Sequence, residues 1–356
     1  MAGALDTGRA ENLRWYAAPL WSRCYDPPMQ ATPDLRVQLP AERPAVREIA
    51  SEAGSRLQKL VLGLGPLERT YLETTPLAAA VATFDAFPPF SDYWTMAPGV
   101  RALENEVEAH GGAAWKAIVS RLVLYAMLER LPSRRTELHI PAAFWPEVER
   151  GLAGLLDALG DSGAVDWSAD AFLKDVSVAQ LRLVPCHGVG KQAVRVRPWR
   201  LLGYSQRRER LSVIKYLGAG CFQPAILVDS HAWQGFGRAN QQSPEDIYES
   251  FAQLMAANPR SLGSLHTGWP HDPKLKGVSP HVLRLAEFLI GLGGRRFHMQ
   301  TKRYAVLQAI STSATRRQRY EDGTYQPAVC GIIVKRTDLL RWARPRWAAG
   351  GSTSGG

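Results

Sequence analysis

Apolar residues recur at three- and four-residue steps through residues 44–131, and this spacing constrains that part of the chain more than any other feature. The residues that carry the pattern are Leu57, Leu60, Val61, Leu64, Ile118, Leu122, Tyr125, Leu128 and Leu131. Apolar side chains at this spacing fall on one face of an α-helix, which then packs against the core. The pattern therefore predicts amphipathic helices up to Pro132, where the proline ends the last of them.

Three further helices are predicted from prolines that stand in a first helical turn. They cover residues 145–159, residues 243–257, and a stretch that runs from residue 279 into the segment GLGGRRFHMQTKRY. Proline is favoured in the first turn of a helix. A backbone N–H at that position has no acceptor within the helix, so the N–H that proline lacks is not missed. Residues 161–215 show little hydrophobic periodicity, although LRLVP and SVIKYL suggest strands. We interpret this segment as a variable connector.

Composition limits the classes of protein to which the chain can belong. With 356 residues, of which 46% are apolar, it can form one large domain or two modest ones. No apolar run reaches the roughly 18 to 20 residues that span a bilayer, and residues 1–15 have no signal-peptide pattern, so we expect a cytoplasmic protein. The four cysteines contain no CxxC pair, which argues against a zinc ribbon or a disulfide scaffold.

The common catalytic motifs are absent from the sequence. There is no GxxxxGK[ST] loop, no GxSxG elbow and no HExxH pair. The glycines near Gly63 and Gly291 lack the GxGxxG spacing of a dinucleotide-binding loop. The formal net charge of +10 favours an anionic partner without identifying it.

His298 follows a predicted apolar helix and has cations on both sides. If that helix continues through Gly294, the imidazole falls near the side of Leu283 and Ile290. The neighbouring cations are Arg295, Arg296, Lys302 and Arg303. A neutral imidazole can bind haem iron, and cationic side chains can bind the haem propionates. A hydrogen-bonded structural histidine beside a solvated basic face gives the same pattern, so the spacing leaves both interpretations open.

Five segments, in the same order along the chain, resemble the haem-dependent dioxygenase superfamily that contains tryptophan 2,3-dioxygenase. They are CYDPPMQATPDLRVQLP, RRTELHIPAAFWP, YLGAGCFQPAILVDSHAWQG, HVLRLAEFLIGLGGRRFHMQTKRY and DGTYQPAVCG. Within the superfamily, the resemblance is to the monodechloroaminopyrrolnitrin synthase branch. Residues 161–212 match poorly.

The resemblance implies a mainly α, tryptophan 2,3-dioxygenase-like fold that binds haem b, with irregular loops and few strands. The resemblance also implies that VCGIIVK is helical, whereas the β-branched residues of that segment predict a strand. The expected organisation is an N-terminal arm over residues 1–45, a helical region over 46–160, the connector over 161–215, a haem-binding helical region over 216–345 and a flexible tail over 346–356. These are regions of one domain.

The resemblance also implies roles for individual residues. His298 takes the position of the proximal iron ligand, which the family carries on a helix. Further contacts with the cofactor are expected from Arg295, Arg296, Lys302 and Tyr304. Contacts with the substrate are expected from Arg303, Gly323, Thr324 and Tyr325. Arg319 is an alternative partner for a substrate carboxylate. His139 and His231 are the candidates for a distal catalytic role. Asp322 stands where the family pattern has a small residue, and its charge could favour a substrate amine.

The function expected from these residues is oxygen insertion into, or oxidative rearrangement of, a tryptophan-derived or other aromatic amino-acid-derived substrate in secondary metabolism. The expected partners are that small substrate and O2, with peroxide as an alternative oxidant, with no membrane partner and with the oligomeric state left open. Two alternatives remain: a nucleic-acid-binding protein that uses basic runs such as VRVRPWR, SQRRER and ATRRQRY, and a relative that binds haem or a metabolite without turnover.

Overall fold

The structure is a computed structural model, and it describes residues 37–38, 43–87, 91, 96–159, 167, 170–186, 189–195, 207–218, 224–228, 244–301 and 303–350. All of these residues belong to one compact unit, Arg36–Gly356. His231, Lys302, most of the predicted N-terminal arm and much of the predicted connector lie outside the described residues.

Helices account for most of the regular structure in the described part of the chain, so the prediction of a mainly helical fold is confirmed. The helices are α1 (Pro44–Leu62), α2 (Pro66–Thr74), α3 (Leu77–Asp85), α4 (Val100–Glu129), α5 (Trp145–Ala158), α6 (Asp170–Ala179), α7 (Arg207–Leu217), α8 (Pro244–Ala257), α9 (Arg284–Gly291), α10 (Arg303–Ser311), α11 (Ala314–Glu321) and α12 (Arg336–Gly350). The three helices predicted from first-turn prolines correspond to α5, α8 and α9, the last of which is preceded by a 3₁₀ turn over Pro280–Leu283.

Helix α4 lies at the centre of the helical layer, and α1 and α3 pack against it. Its buried side chains include Leu122, Tyr125 and Leu128, which the periodicity predicted. The helix bends at Gly111 and Gly112, where Gly112 has a φ of 64°. Because L-residues rarely adopt that φ, glycine permits the bend.

A mixed sheet of six strands accompanies the helices. Together with those of a separate pair, the described strands are β1 (Val37–Gln38), β2 (Arg135–Thr136), β3 (Val184–Cys186), β4 (Val189–Arg195), β5 (Pro224–Val228), β6 (Gly263–Gly268), β7 (Arg295–His298) and β8 (Cys330–Lys335). Strands β1 and β2 form a separate pair, and the sheet has the order β3-β4-β5-β6-β8-β7. Only β5 and β6 pair in parallel among the described strands. Strand β8 confirms the strand predicted from the residues of VCGIIVK and contradicts the helix that the resemblance implied.

Three other expectations need correction. The SVIKYL segment belongs to helix α7, because Val213 and Leu217 lie one helical turn apart and pack beneath the sheet. The region 216–345, expected to be helical, contains strands β5 to β8, since its apolar runs pair with one another in the sheet. Helix α12 continues to Gly350, so residues 346–350 are not part of a flexible tail; Trp347 is half-buried there and packs against the core.

The helix before His298 ends earlier than predicted. Gly293 adopts a φ of 91°, and the Gly294 N–H donates to the Leu289 carbonyl at 2.9 Å. A Cβ on Gly294 would lie 2.5 Å from that oxygen, so only glycine fits this helix end. The chain then enters β7, and the prediction that His298 lies on a helix is wrong.

The sheet has an apolar layer on each face. The main core contains residues of helices α1 to α6, α8 to α10 and α12, and includes Ile332 and Val334 of β8. The smaller cluster is formed by Val213, Leu217, Ala225, Leu262, Leu265, Phe297 and Ile333. Of the helices in the described ranges, none combines the length and the apolar character needed to cross a membrane.

Candidate functional site

The register of β6, β8 and β7 places polar side chains in two neighbouring rows on one face of the sheet. The rows are His266–Ile332–Arg296 and Gly268–Cys330–His298. Residues directly opposite one another in antiparallel strands project from the same face, and so do residues two apart along a strand. We call the polar groups on and beside this face the β6–β8–β7 cluster.

His266 belongs to the cluster and contacts Tyr248 of α8. Both side chains are buried, and the Tyr248 hydroxyl is 3.1 Å from Nδ1 and 3.2 Å from Nε2 of the His266 ring. Burial, together with the neighbouring His271, lowers the pKa of His266 well below its usual value. Burial also raises the pKa of Tyr248. The pair is therefore a neutral imidazole beside a protonated phenol.

His271 ends a 3₁₀ turn, Trp269–His271, that follows β6 directly. Its ring centroid is 6.2 Å from that of His266, and its side chain is fully buried. Neither ring nitrogen has a hydrogen-bond partner among the described residues. Burial, and secondly the Arg296 guanidinium, lower the pKa of His271 to about 3. An imidazole in this state has one N–H to donate and one nitrogen that can accept.

Asp272 joins this turn to the segment that precedes β8. Its carboxylate is buried and accepts hydrogen bonds from the backbone N–H groups of Lys274 at 3.0 Å and Ala328 at 2.9 Å. Tyr325 lies in the same segment as Ala328 and is 2% exposed. Burial, and then the nearby Asp272 carboxylate, raise the pKa of the Tyr325 phenol. A side-chain hydrogen bond to Asp272 is among the causes of this rise, and the nearby Arg316 guanidinium opposes it.

Adjacent arginines on β7 lie on opposite faces of the sheet. Arg296 is half-buried on the cluster face, and its Nε is buried without a hydrogen-bond partner in the described part of the chain. Arg295 is exposed on the other face and donates to the Ser212 hydroxyl of α7 at 2.7 Å. Of these two adjacent arginines, only Arg296 therefore lies on the cluster face.

His298 is half-buried on the cluster face. The register of β7 and β8 places it opposite Cys330. Of its predicted neighbours, Arg303 is exposed at the start of α10, and the side chain of Tyr304 lies outside the described part of the chain. His298 and Arg296 are therefore the two predicted cofactor contacts that the structure brings to one face.

The other predicted residues lie at the surface. His139 is exposed, and its backbone exchanges hydrogen bonds of 2.8 and 2.9 Å with the Asn258 side chain. Gly323 and Thr324 are exposed in the turn after α11, and the exposed Asp322 accepts a hydrogen bond from Gln318. Within the DGTY segment, only Tyr325 reaches the cluster. Arg319 is also exposed.

Sequence reasoning missed His266, His271, Asp272 and Tyr248. The only sequence signal for His266, His271 and Asp272 is the segment SLHTGWPHD, which begins as an apolar strand and ends in a proline-containing turn. That signal does not reveal burial, because β6 is covered through its pairing with β8, which lies far along the chain. Tyr248 lies outside this segment, on α8. Among the described residues, no three His, Cys, Asp or Glu side chains are grouped as a metal site would require.

Comparisons with protein-family models, with curated proteins and with solved structures found no match to this chain.

Proposed function

We propose that this chain is a haem-dependent oxygenase that acts on a tryptophan-derived or other aromatic amino-acid-derived substrate, with His298 as the iron ligand. The observation that carries the proposal is that His298 and Arg296 lie two residues apart on the same face of β7, both half-buried. The membership in the haem-dependent dioxygenase superfamily, its characteristic fold and a cytoplasmic location belong to the same proposal.

The residues of this face fit haem b in their chemistry. Histidine is a common axial ligand of haem iron, and a guanidinium forms strong hydrogen bonds with a carboxylate such as a haem propionate. His298 and Arg296 both keep accessible surface and lie on β7, the last strand of the sheet. His298 would hold the iron and Arg296 a propionate. Arg295 is not part of this site, because it lies on the opposite face.

Haem b, when bound, supplies the activation of O2. The chain supplies position, low polarity and hydrogen bonds. Tyr325 keeps its phenolic proton, because burial and Asp272 raise its pKa. The neutral His271 ring can accept or donate a hydrogen bond without adding a charge.

The test is an ultraviolet–visible spectrum of the purified full chain after incubation with haem, first oxidised and then reduced under carbon monoxide. We expect a Soret band in the wild type and its loss in His298→Ala, because the variant removes the iron ligand. His281→Ala is the matched control, since His281 is exposed on a 3₁₀ turn away from β7. It should keep the full band.

Two results would contradict the proposal. One is a chain that stays colourless after incubation with haem, and the other is full haem occupancy in His298→Ala. Once haem binding is established, turnover of tryptophan analogues with a reductant separates an oxygenase from a relative that only binds haem.

The nucleic-acid alternative has weaker support. In the ATRRQRY run, Arg317 and Arg319 are exposed, but Arg316 is buried, with its guanidinium 4.6 Å from the centre of the Trp269 ring. The run is therefore partly a structural element of the core. Binding of nucleic acid would weaken steeply with salt, whereas the haem spectrum would not.

A further inference from the structure

Tyr248 and His266 form a buried phenol–imidazole pair that the proposed function does not use. Tyr248 is 1% exposed and His266 is 0% exposed, and the hydroxyl lies 3.1 and 3.2 Å from the two ring nitrogens. The phenol is protonated and the imidazole is neutral, so the hydroxyl donates to the ring nitrogen that carries no hydrogen. A phenol that donates its proton to a base in this way can lose an electron and that proton together.

The pair is enclosed by other rings. The Tyr248 centroid lies 5.9 Å from that of Phe251 and 5.2 Å from that of Phe288, and the His266 centroid lies 6.2 Å from that of His271. These separations are those of packed aromatic side chains. Because the Tyr248 ring has almost no exposed surface, a radical formed on it is protected from direct reaction with dissolved molecules.

A line of three rings joins Tyr248 to the surface. The centroids of Tyr248 and Phe288 are 5.2 Å apart, and those of Phe288 and Trp342 are 5.5 Å apart. Trp342, on α12, is half-buried and keeps part of its side chain accessible to solvent. Indole and phenol rings lose an electron more readily than the phenyl ring between them, which fills the gap that the electron must cross.

A cation lies over the outer ring of this line. The Arg346 guanidinium carbon is 5.0 Å from the centre of the Trp342 ring, and Nε of Arg346 donates to the Glu249 carboxylate at 3.2 Å. The carboxylate offsets the charge of the guanidinium, so this cation does not by itself prevent removal of an electron from the indole.

We propose that Tyr248 and His266 form a proton-coupled redox pair that exchanges electrons with molecules in solution through Trp342. In the forward step, Tyr248 gives one electron to a one-electron oxidant, which is thereby reduced. The phenolic O–H bond breaks and the proton forms an N–H bond on His266, which leaves a neutral phenoxyl radical and an imidazolium. In the return step, one electron from a donor and the same proton restore Tyr248.

Proton transfer leaves the charge of the site where it can be held. Burial disfavours an imidazolium, but removal of one electron creates one positive charge here in any case. On His266, that charge keeps a hydrogen bond to the phenoxyl oxygen, which the low polarity of the surroundings strengthens. The oxidant belongs to the class of one-electron acceptors. The haem proposed above belongs to this class, and in that use the inference rests on the proposed function.

The test is flash photolysis of the full chain, prepared without haem, with tris(bipyridine)ruthenium and persulfate, followed by electron paramagnetic resonance of the frozen sample. We expect the signal of a neutral tyrosyl radical in the wild type and its loss in Tyr248→Phe, which removes one oxygen atom and keeps the ring. Tyr125→Phe is the matched control, because Tyr125 is also buried but has Arg56, not a base, as its hydrogen-bond partner. It should keep the wild-type signal.

Two further measurements address His266 and Trp342. After exchange into deuterated water, electron–nuclear double resonance of the wild-type radical should detect a deuteron in the hydrogen bond to the phenoxyl oxygen. His266→Phe should lose the persistent radical although Tyr248 remains. Trp342→Phe should slow formation of the radical, whereas Trp347→Phe, also half-buried on α12, should not.

The redox pair is overturned if the wild type gives no tyrosyl signal, if Tyr248→Phe retains the signal, or if the radical couples to no exchangeable deuteron. Should His266→Phe fail to fold, as circular dichroism would show, the deuteron coupling of the wild type decides. Equal rates of radical formation in Trp342→Phe and Trp347→Phe would overturn the route through Trp342. Because no haem is present, these results stand whether or not the proposed function fails.

Discussion

At the residue scale, the two buried histidines should make the stability of this chain sensitive to acid. His266 and His271 have folded-state pKa values far below the 6.5 of an exposed histidine, because burial disfavours the charged ring. Above pH 6.5 both rings are neutral whether the chain is folded or unfolded. Below pH 6.5, the unfolded chain takes up protons that the folded chain does not. The free energy of unfolding therefore decreases as the pH is lowered.

For His271 this loss extends from about pH 6.5 down to about pH 3, where the folded ring also titrates. Each such histidine contributes a slope of about 1.4 kcal/mol per pH unit. We expect His271→Gln to remove that slope from the free energy of unfolding measured by urea between pH 6 and pH 4. His281→Gln, at an exposed position, should leave the slope unchanged. An identical slope in the wild type and His271→Gln would show that His271 charges readily in the folded state.

The sequence predicted the residue types of the site better than their orientation. Arg295 and Arg296 were both expected beside His298 because they are neighbours in the sequence. On a strand, however, adjacent side chains project to opposite faces, and only Arg296 shares the face of His298. His271 could not be found by periodicity, because its burial follows from a short turn packed against distant segments.

At the element scale, the close pairing of β7 and β8 depends on a glycine. Phe297 lies opposite Gly331, and a Cβ on that glycine would lie 2.2 Å from the Phe297 ring. The ring therefore covers the glycine and holds the strand that carries Arg296 and His298 at its present distance from β8.

We expect Gly331→Ala to lower the free energy of unfolding by about 1–3 kcal/mol, because the added methyl group forces the aromatic ring to move. Urea unfolding measures the change. Gly277→Ala is the control, since nothing lies within 4 Å of its added carbon, and it should change stability by less than about 0.5 kcal/mol. Combining Gly331→Ala with Phe297→Leu should cost less than the sum of the two single changes. Strict additivity would argue against this contact.

Local sequence signals were sufficient to predict several of the helices but not to predict the sheet. Helices α4, α5 and α8 were predictable because apolar spacing and first-turn prolines are local features. The SVIKYL segment has β-branched residues yet forms part of α7, because its apolar side chains pack one helical turn apart beneath the sheet. Strand β7 was missed because its pairing with β8 joins residues more than 30 positions apart in the chain.

At the scale of the whole molecule, the main core joins the helical layer and the sheet. It includes Val46 of α1, Leu122 of α4, Ile332 of β8 and Ala343 of α12 in one continuous cluster. Helices and sheet in the compact unit Arg36–Gly356 therefore bury the same apolar surface.

We expect a single cooperative unfolding transition for this unit. Far-ultraviolet circular dichroism, which follows the helices, and tryptophan fluorescence, which follows buried rings such as Trp115 and Trp269, should give the same urea midpoint. Separate midpoints would mean that the helical layer and the sheet unfold independently despite their common core.

Asp272 has a consequence for how the chain tolerates insertions. By accepting the N–H group of Ala328 as well as that of Lys274, its carboxylate joins two points 56 positions apart on the path between β6 and β8, so that both ends of this loop meet at one side chain. The cost of closing such a loop grows only slowly with its length. Extra residues in the exposed turn around Gly277 should therefore leave the loop ends together, whereas a change at Asp272 would release both ends at once.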